Sequence, residues 1–534
     1  MTAHPDVHVP LSPPALLAPR RWTALALICA AQFMLILDVT VVNVALPAIA
    51  DDLGLGRTEL TWVVAAYTLC FGGLMLLGGR LADTLGARRT LLAGLALFTA
   101  ASLTCGLATG AVPLIAGRVA QGIGAALLSP AALALVATLF HGPERTRALG
   151  IWAAIGATGS AIGVLVGGAL TDGPGWSWIF YVNVPVGAAL LVALPRVVPA
   201  VRPGPAGTAG VAGAEEAADR EGAAGAEEAA DREGAAGAEG TTDTTDALAG
   251  TAGGSRRAGS RRPRPDLPGA LLVTAATGSL VYGLIRAGDA GGWVSPAALL
   301  PLLGSLALYG LFAAVEKASP APLMDPRTLT RRPVVAGSLL MLVATALLIS
   351  FFFLGSVLLQ HVHHFSALRT GLLFLPVALT TAVGAHLGSR LVAGTGPRAL
   401  AAAGTGLAAL AVLPLTLLPA DANPWTTLLP ALSVAALGLG AVFVTATTTA
   451  LGLTAPHEAG LASGIVNTFH ELGGSLGVAA VSTLAAPALT GTGTPGSFTA
   501  AFTLLTATAA LTALAAPALV PKGTPRLTGG PHAH

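Results

Sequence analysis

Leu35-Ile36-Leu37-Asp38-Val39-Thr40-Val41-Val42-Asn43 is the stretch on which the reading of this chain turns. It lies inside an apolar run from Trp22 to Ile49. Such a run is long enough to cross about 30 Å of hydrocarbon as a single helix. A carboxylate at that depth has no water around it unless the fold supplies a cavity. Acids in such places are costly, so they usually face a pathway or carry protons. Asp38 therefore points beyond a membrane span to one that handles a solute or an ion.

The rest of the chain agrees with a membrane setting. Charged residues make up 10%, hydrophobic residues 54%, and the mean hydropathy is +0.75. Soluble domains carry about 25% charged residues. A net charge of +2 gives no basis for a nucleic-acid partner. Cys29, Cys70 and Cys105 sit in apolar runs without disulfide or zinc spacing. Arg outnumbers Lys by 26 to 2, which with abundant Ala and Gly fits a GC-rich bacterial genome. The first twenty-one residues show no short apolar core before a small-residue cleavage site, so Trp22 onward is expected to serve as an uncleaved first helix.

Fourteen apolar stretches are candidate spans, near 22–47, 60–79, 90–110, 113–139, 149–170, 177–198, 268–287, 294–315, 333–358, 370–392, 399–419, 426–450, 459–485 and 498–520. The expected class is an all-α polytopic membrane protein. With the amino terminus inside, the loops that face out hold Arg57, Arg286 and Arg369. Most other Lys and Arg fall at inner ends or loops, which sets the orientation and places both termini in the cytoplasm. The expected organisation is a tail (1–21), a six-helix bundle (22–198), a linker (199–267), two extra helices (268–315), a loop (316–332), a second six-helix bundle (333–520) and a tail (521–534).

The linker repeats Gly213-Ala-Glu-Glu-Ala-Ala-Asp-Arg-Glu-Gly-Ala-Ala224 unchanged at 225–236. Ala and Glu favour helix, but with nothing apolar to pack it is expected to be disordered or transiently helical. Arg256, Arg257, Arg261, Arg262 and Arg264 then precede the seventh span; such a juxtamembrane basic cluster is expected to fix topology, with binding of anionic lipid as the alternative.

After the second span comes Gly79-Arg80-Leu81-Ala82-Asp83-Thr84-Leu85-Gly86-Ala87-Arg88-Arg89. Its glycines permit a tight turn, and Asp83 can accept charge-assisted bonds. This loop resembles the signature loop of the major facilitator superfamily. Leu37-Asp38 through Leu46-Pro47 is similar to the first-helix signature of that superfamily's fourteen-helix drug:proton antiporter branch. Arg118-Val119-Ala120-Gln121-Gly122-Ile123-Gly124 is similar to the fourth-helix motif, and Gly150, Gly159, Gly163, Gly167 and Gly168 to the fifth-helix export motif. Trp176 to Gly187 also fits, as do Gly460 to Gly464 and Gly473 to Gly477. There are departures. Val164 replaces a proline, which implies a straighter fifth helix, and Thr84 and Ala87 replace basic residues. Ser177 stands in place of arginine, and His470-Glu471 in place of Arg-Gln.

The resemblance implies two six-helix bundles with two extra helices between them. It further implies proton-coupled export of amphipathic organic compounds such as drugs or antibiotics, by a monomer in the cytoplasmic membrane. Asp38, Arg118 and Glu471 are the expected proton-coupling residues. Gly79, Asp83, Gly86, Arg88 and Arg89 would govern conformation, while Asn43, Gln121, Asn467 and His470 would line the substrate cavity. Arg118 is expected to pair with Asp38 or a neighbouring carbonyl. His470 and Glu471 are adjacent, hence about 100° apart on a helix, so at most one faces the cavity.

No cofactor or metal is expected: His361, His363 and His364 lack a nearby acid in sequence, and His386 reads as a helix-contact residue. Of Phe351, Phe352 and Phe353, one is a candidate pocket residue and the others lipid contacts. Neither lysine belongs to a phosphate-binding loop. Energy then comes from an ion gradient, a partner chain or the substrate gradient. A facilitator-type importer or uniporter of a metabolite, and a polytopic sensor or enzyme, are the alternative readings.

Overall fold

A helix satisfies its own backbone donors and acceptors, so apolar runs destined for hydrocarbon become helices. The computed structural model describes residues 18–198, 266–288, 292–319, 330–417, 423–451, 459–489 and 498–521, and there is no strand among them. The linker repeat, the arginine cluster at 256–264, Lys522 and Arg526 lie outside these residues.

In chain order the long helices are α1 (Ala18–Leu53), α2 (Arg57–Leu85), α3 (Ala87–Gly106), α4 (Ala111–Leu139), α5 (Gly142–Asp172), α6 (Trp178–Val197), α7 (Leu267–Ala287), α8 (Pro296–Ala318), α9 (Arg332–Val362), α10 (Ala367–Thr395), α11 (Pro397–Leu417), α12 (Leu428–Leu451), α13 (Ala459–Leu484) and α14 (Thr499–Leu519). Twelve helices among the described residues are long and apolar enough to cross a membrane. To these the chain adds α5, an uninterrupted helix of 31 residues through Val164, and α13, of 26. Side-chain caps start several of the helices. Asp266 accepts from Gly269 N, Ser295 from Ala298 N and Ser366 from Arg369 N. Each such cap is worth about 1 kcal/mol.

The packing has internal symmetry. In the first half α4 packs on α2 and α3, α5 on α1, and α6 on α3. In the second half α12 packs on α10 and α11, α13 on α9, and α14 on α11, which is the same scheme eight helices later. Close approaches repeat too. A Cβ on Gly94 would lie 2.6 Å from the Gly124 carbonyl oxygen, and one on Gly438 would lie 2.3 Å from that of Gly404. Small residues are what let membrane helices meet this closely. Even the turns correspond: Gly86, between α2 and α3, has φ +96°, and Gly396, between α10 and α11, has φ +79°. Around the second turn, Arg390-Leu391 and Arg398 echo Arg80-Leu81 and Arg88, with Ala393 in the place of Asp83.

The halves meet along two equivalent seams, α2 on α13 and α5 on α10, with α1 also touching α9. α7 docks on α2 and α13, whereas α8 packs chiefly on α7 and leaves Leu300, Leu303 and Leu306 exposed. Arg57 fastens α7 to this frame, donating to the carbonyls of Ile285 (2.8 Å) and Ser482 (3.4 Å), near the ends of α7 and α13.

Three expectations need correction. Phe351, Phe352 and Phe353 are all buried, so none contacts lipid, and the Phe352 ring lies 4.9 Å edge-on from Phe374. His386 is exposed and does not sit at a helix contact. An acid does approach the outer histidines, but it comes from α1: His361 Nε2 lies 4.0 Å from Asp51.

Candidate functional site

Five helices of the first half meet in one polar network around a carboxylate. Asp38 on α1 is 1% exposed, and so is Arg118 on α4. Arg118 Nη1 donates to Asp38 Oδ2 in a short ion pair. The other carboxylate oxygen accepts from Gln121 Nε2 at 3.0 Å and from Asn183 Nδ2, on α6, at 3.2 Å. Gln121 falls on the same face as Arg118 because three residues make most of a helical turn. It also accepts from Arg118 Nη1 at 2.9 Å and donates to Ser102 Oγ, on α3, at 2.8 Å.

Arg118 has two further restraints. Its Nε donates to the Val63 carbonyl on α2 at 3.0 Å, and its guanidinium carbon stands 4.3 Å from the centre of the Tyr67 ring. A guanidinium over an aromatic face is attracted by the ring quadrupole. Arg118 therefore meets both partners expected for it, a carboxylate and a carbonyl, and it is buried rather than reaching to the membrane rim. Because arginine keeps its proton, the pair can change charge only at Asp38.

The remaining candidates divide by location. Asn43 is buried on α1, five residues past Asp38, and bonds its own helix, Nδ2 to the Val39 carbonyl at 2.7 Å, which leaves its Oδ1 without a partner among the described residues. Glu471 and Asn467 lie half-buried on α13. A Cβ on Gly72 of α2 would come within 2.7 Å of Glu471 Cβ, so this acid lies on the seam between the halves. His470 turns the other way, to Thr345 Oγ1 at 2.9 Å and Met341 Sδ at 3.4 Å on α9.

The glycine-rich loop is looser than its sequence suggests. Gly79 is half-buried, while Asp83 and Arg89 are exposed. Gly86 makes the turn, and Arg88 ties the loop to α6 through the Pro195 carbonyl at 2.8 Å. Asp83 makes no hydrogen bond with the described residues. Of the fifth-helix glycines, Gly159, Gly163 and Gly167 lie against Ile36, Thr40 and Val41 of α1. Gly168 lies against the Ala367 backbone of α10, while Gly150 faces open space.

Sequence reasoning missed Ser102, Asn183, Val63 and Tyr67. Asn183 was within reach, since it stands in the conspicuous stretch Trp176 to Gly187. Neutral polar residues in helices are common, however, and only the fold showed that this one reaches Asp38.

Comparison with known proteins gives the family. The family model described as Major Facilitator Superfamily matches residues 28–478. The puromycin resistance protein of Streptomyces alboniger is 37% identical, over 87% of this chain and 82% of its own. The cephamycin export protein of Amycolatopsis lactamdurans is 36% identical (89% and 86%), and the lincomycin resistance protein of Streptomyces lincolnensis 33% (91% and 88%). Among solved structures, a bacterial homologue of the human lysosomal transporter Spinster superposes with a TM-score of 0.60 at 17% identity, over 94% of this chain and 98% of that one. A peptide transporter superposes with a TM-score of 0.59 at 15% identity, over 92% and 93%. The chain is thus a multi-pass membrane protein of the major facilitator superfamily, a transporter of bacterial type and not an enzyme.

Proposed function

We propose that this protein is a proton-coupled antiporter that exports amphipathic organic compounds, antibiotics among them, across the cytoplasmic membrane of a bacterium. The observation that carries the reading is the buried Asp38–Arg118 pair, the charged centre of the first bundle. It stands in a chain whose relatives are named for puromycin and lincomycin resistance and for cephamycin export. In this reading the chain crosses the membrane fourteen times with both termini in the cytoplasm. It works as a monomer, and the proton gradient replaces any cofactor. The bundles at 22–198 and 333–520 rock about a midplane cavity.

Asp38 has two states in the proposed cycle. Ionised, it holds Arg118; protonated from outside, it releases the guanidinium to Val63, Tyr67 and Gln121. Those states favour different arrangements of α1 and α4, and only such differential affinity lets a proton drive a conformational change. Glu471 offers a second acid, facing a cationic substrate, with Asn43, Asn467, Gln121 and His470 around the path. The loop carrying Gly79, Asp83, Gly86, Arg88 and Arg89 is the inner hinge. The fifth-helix glycines Gly150, Gly159, Gly163, Gly167 and Gly168 let α5 move along its neighbours.

The test is efflux profiling in a pump-deficient bacterial host, with puromycin, lincomycin and a cephamycin in the panel and Asp38→Asn as control. Inside-out vesicles report the coupled proton. The expected result is lowered accumulation of at least one compound, with substrate-driven proton release that Asp38→Asn abolishes. Raised accumulation would support import instead, and proton movement that survives Asp38→Asn would overturn the assignment.

A further inference from the structure

Tyr67 lies at the junction between the buried pair and the second bundle. Its side chain is fully buried. One face of the ring lies under Arg118, 4.3 Å from the guanidinium carbon. Its hydroxyl finds no hydrogen-bond partner among the described residues. A buried hydroxyl left unpaired is costly, so its persistence points to a partner taken in another state.

The geometry of α2 indicates which partner. This helix runs antiparallel to α13: Ala65 packs with Ala479, Gly474 approaches Thr68, Gly72 meets Thr468 and Glu471, and Gly464 approaches Leu76. Glu471 thus comes within little more than one turn of Tyr67 along the seam. The charged groups around Tyr67 are Arg118 on its ring face, Asp38 paired with Arg118, and Glu471 across the seam. The other titratable groups nearby are Cys70 on α2 itself, Cys105 on α3, whose thiol is turned to Gln121, and His470, whose ring is turned to Thr345. α2 is therefore an element that touches Arg118 on one side and Glu471 on the other.

We propose that Tyr67 links Asp38 and Glu471. Its ring positions Arg118 against Asp38, and its hydroxyl pairs with the Glu471 carboxyl when the bundles shift, so that the charge state of one acid is felt by the other. No bond is made or broken beyond hydrogen bonds, and Tyr67 keeps its own proton. This link gives the proton-coupled reading two communicating sites in place of one, but it is tested without transport.

The experiment uses the purified full-length protein in lipid nanodiscs with no substrate. The infrared carboxyl band of Glu471, identified by its loss in Glu471→Gln, is followed against pH. It is compared in Asp38 and Asp38→Asn proteins, each with Tyr67 or with Tyr67→Phe. The phenylalanine keeps the ring under Arg118, and a retained near-ultraviolet spectrum and elution profile verify the fold. With Tyr67 present, Asp38→Asn is expected to change the proton affinity of Glu471 about tenfold, one pKa unit. With phenylalanine the change falls below about twofold. An equal shift in both backgrounds, or none in either, overturns the link. If wild-type vesicles show no substrate-driven proton release while the infrared coupling is present, the transport reading fails and the link stands.

Discussion

Asp172→Ala should loosen the end of the molecule where α5 meets α10. Asp172 closes α5, and its two carboxylate oxygens accept from Ala367 N and Leu368 N, each at 2.9 Å. These are among the first donors of α10, which have no partner within their own helix. The bonds thus join one bundle to the other. Beside them Gln360 donates to the Val44 carbonyl at 2.8 Å, and a cavity of about 230 Å³ lies between Asp51, Thr171 and His361. A side-chain cap is worth about 0.5–2 kcal/mol, and a charge at a helix N-terminus about 0.3–1 more. Asp172 is exposed. Water can replace it, which puts the estimate near the low end, about 1 kcal/mol, or roughly a fivefold fall in the ratio of closed to open at this end. Asn keeps one acceptor oxygen and should fall between. The assay is pulsed electron resonance between spin labels on the α5–α6 and α9–α10 turns. Cys29, Cys70 and Cys105 are all buried and will not compete for the label. Unchanged distance distributions in both variants would refute the latch.

Arg118→Lys keeps the charge but loses the fork that spans Asp38, Gln121 and the Val63 carbonyl. Losing one charge-assisted bond worth about 1.5–3 kcal/mol predicts at least a tenfold fall in efflux rate at equal expression, measured in vesicles. Gly168→Val puts a branched side chain where even a Cβ would lie 2.6 Å from the Ala367 carbonyl oxygen. Overpacking of about 1–3 kcal/mol should lower the midpoint of thermal unfolding, while Gly150→Val, in open space, should not. His363, in the α9–α10 turn, has its pKa lowered by burial and then by His364 from the ordinary 6.5. The unfolded chain then binds the extra proton first, so stability declines as pH falls below about 6.5 and levels off below the folded value. His363→Gln should flatten that slope in a denaturation series; an unchanged slope would rule the residue out.

How far the sequence reaches depends on the kind of interaction. Asp38 and Arg118 were legible singly, because a charge in an apolar run must be compensated, and the two charges compensate each other. The helices followed from run length for the same reason. The neutral donors around the pair were not legible. Asn183 and Ser102 lie 145 and 64 positions from Asp38 in the chain, and no local rule says which polar residue of a helix turns inward. The phenylalanines at 351–353 show the opposite failure. Hydropathy treats core and lipid alike, so only packing reveals that all three are buried. The half-repeat was written in the sequence, in Gly86 and Gly396 and the arginines around them. The absence of an acid at Ala393 concealed it from a search for the full loop.

The arrangement of donors bears on why one acid can be both buried and usable. Asp38 shares one oxygen between Gln121 and Asn183 and gives the other to Arg118. A single ion pair in hydrocarbon would be an all-or-none device, since removing one partner strands the other charge at a cost of about 3–5 kcal/mol. Here Arg118 also rests on the Val63 carbonyl, the Gln121 oxygen and the Tyr67 face. In the proposed cycle, protonation of Asp38 would make the guanidinium exchange one partner among several and would not leave it bare. The cost of letting go would be spread over α1, α2, α4 and α6, and in that cycle the helices holding the remaining contacts are the ones proposed to move. Removing the neutral partners one at a time should consequently weaken coupling before it weakens folding, whereas removing Arg118 outright should do both.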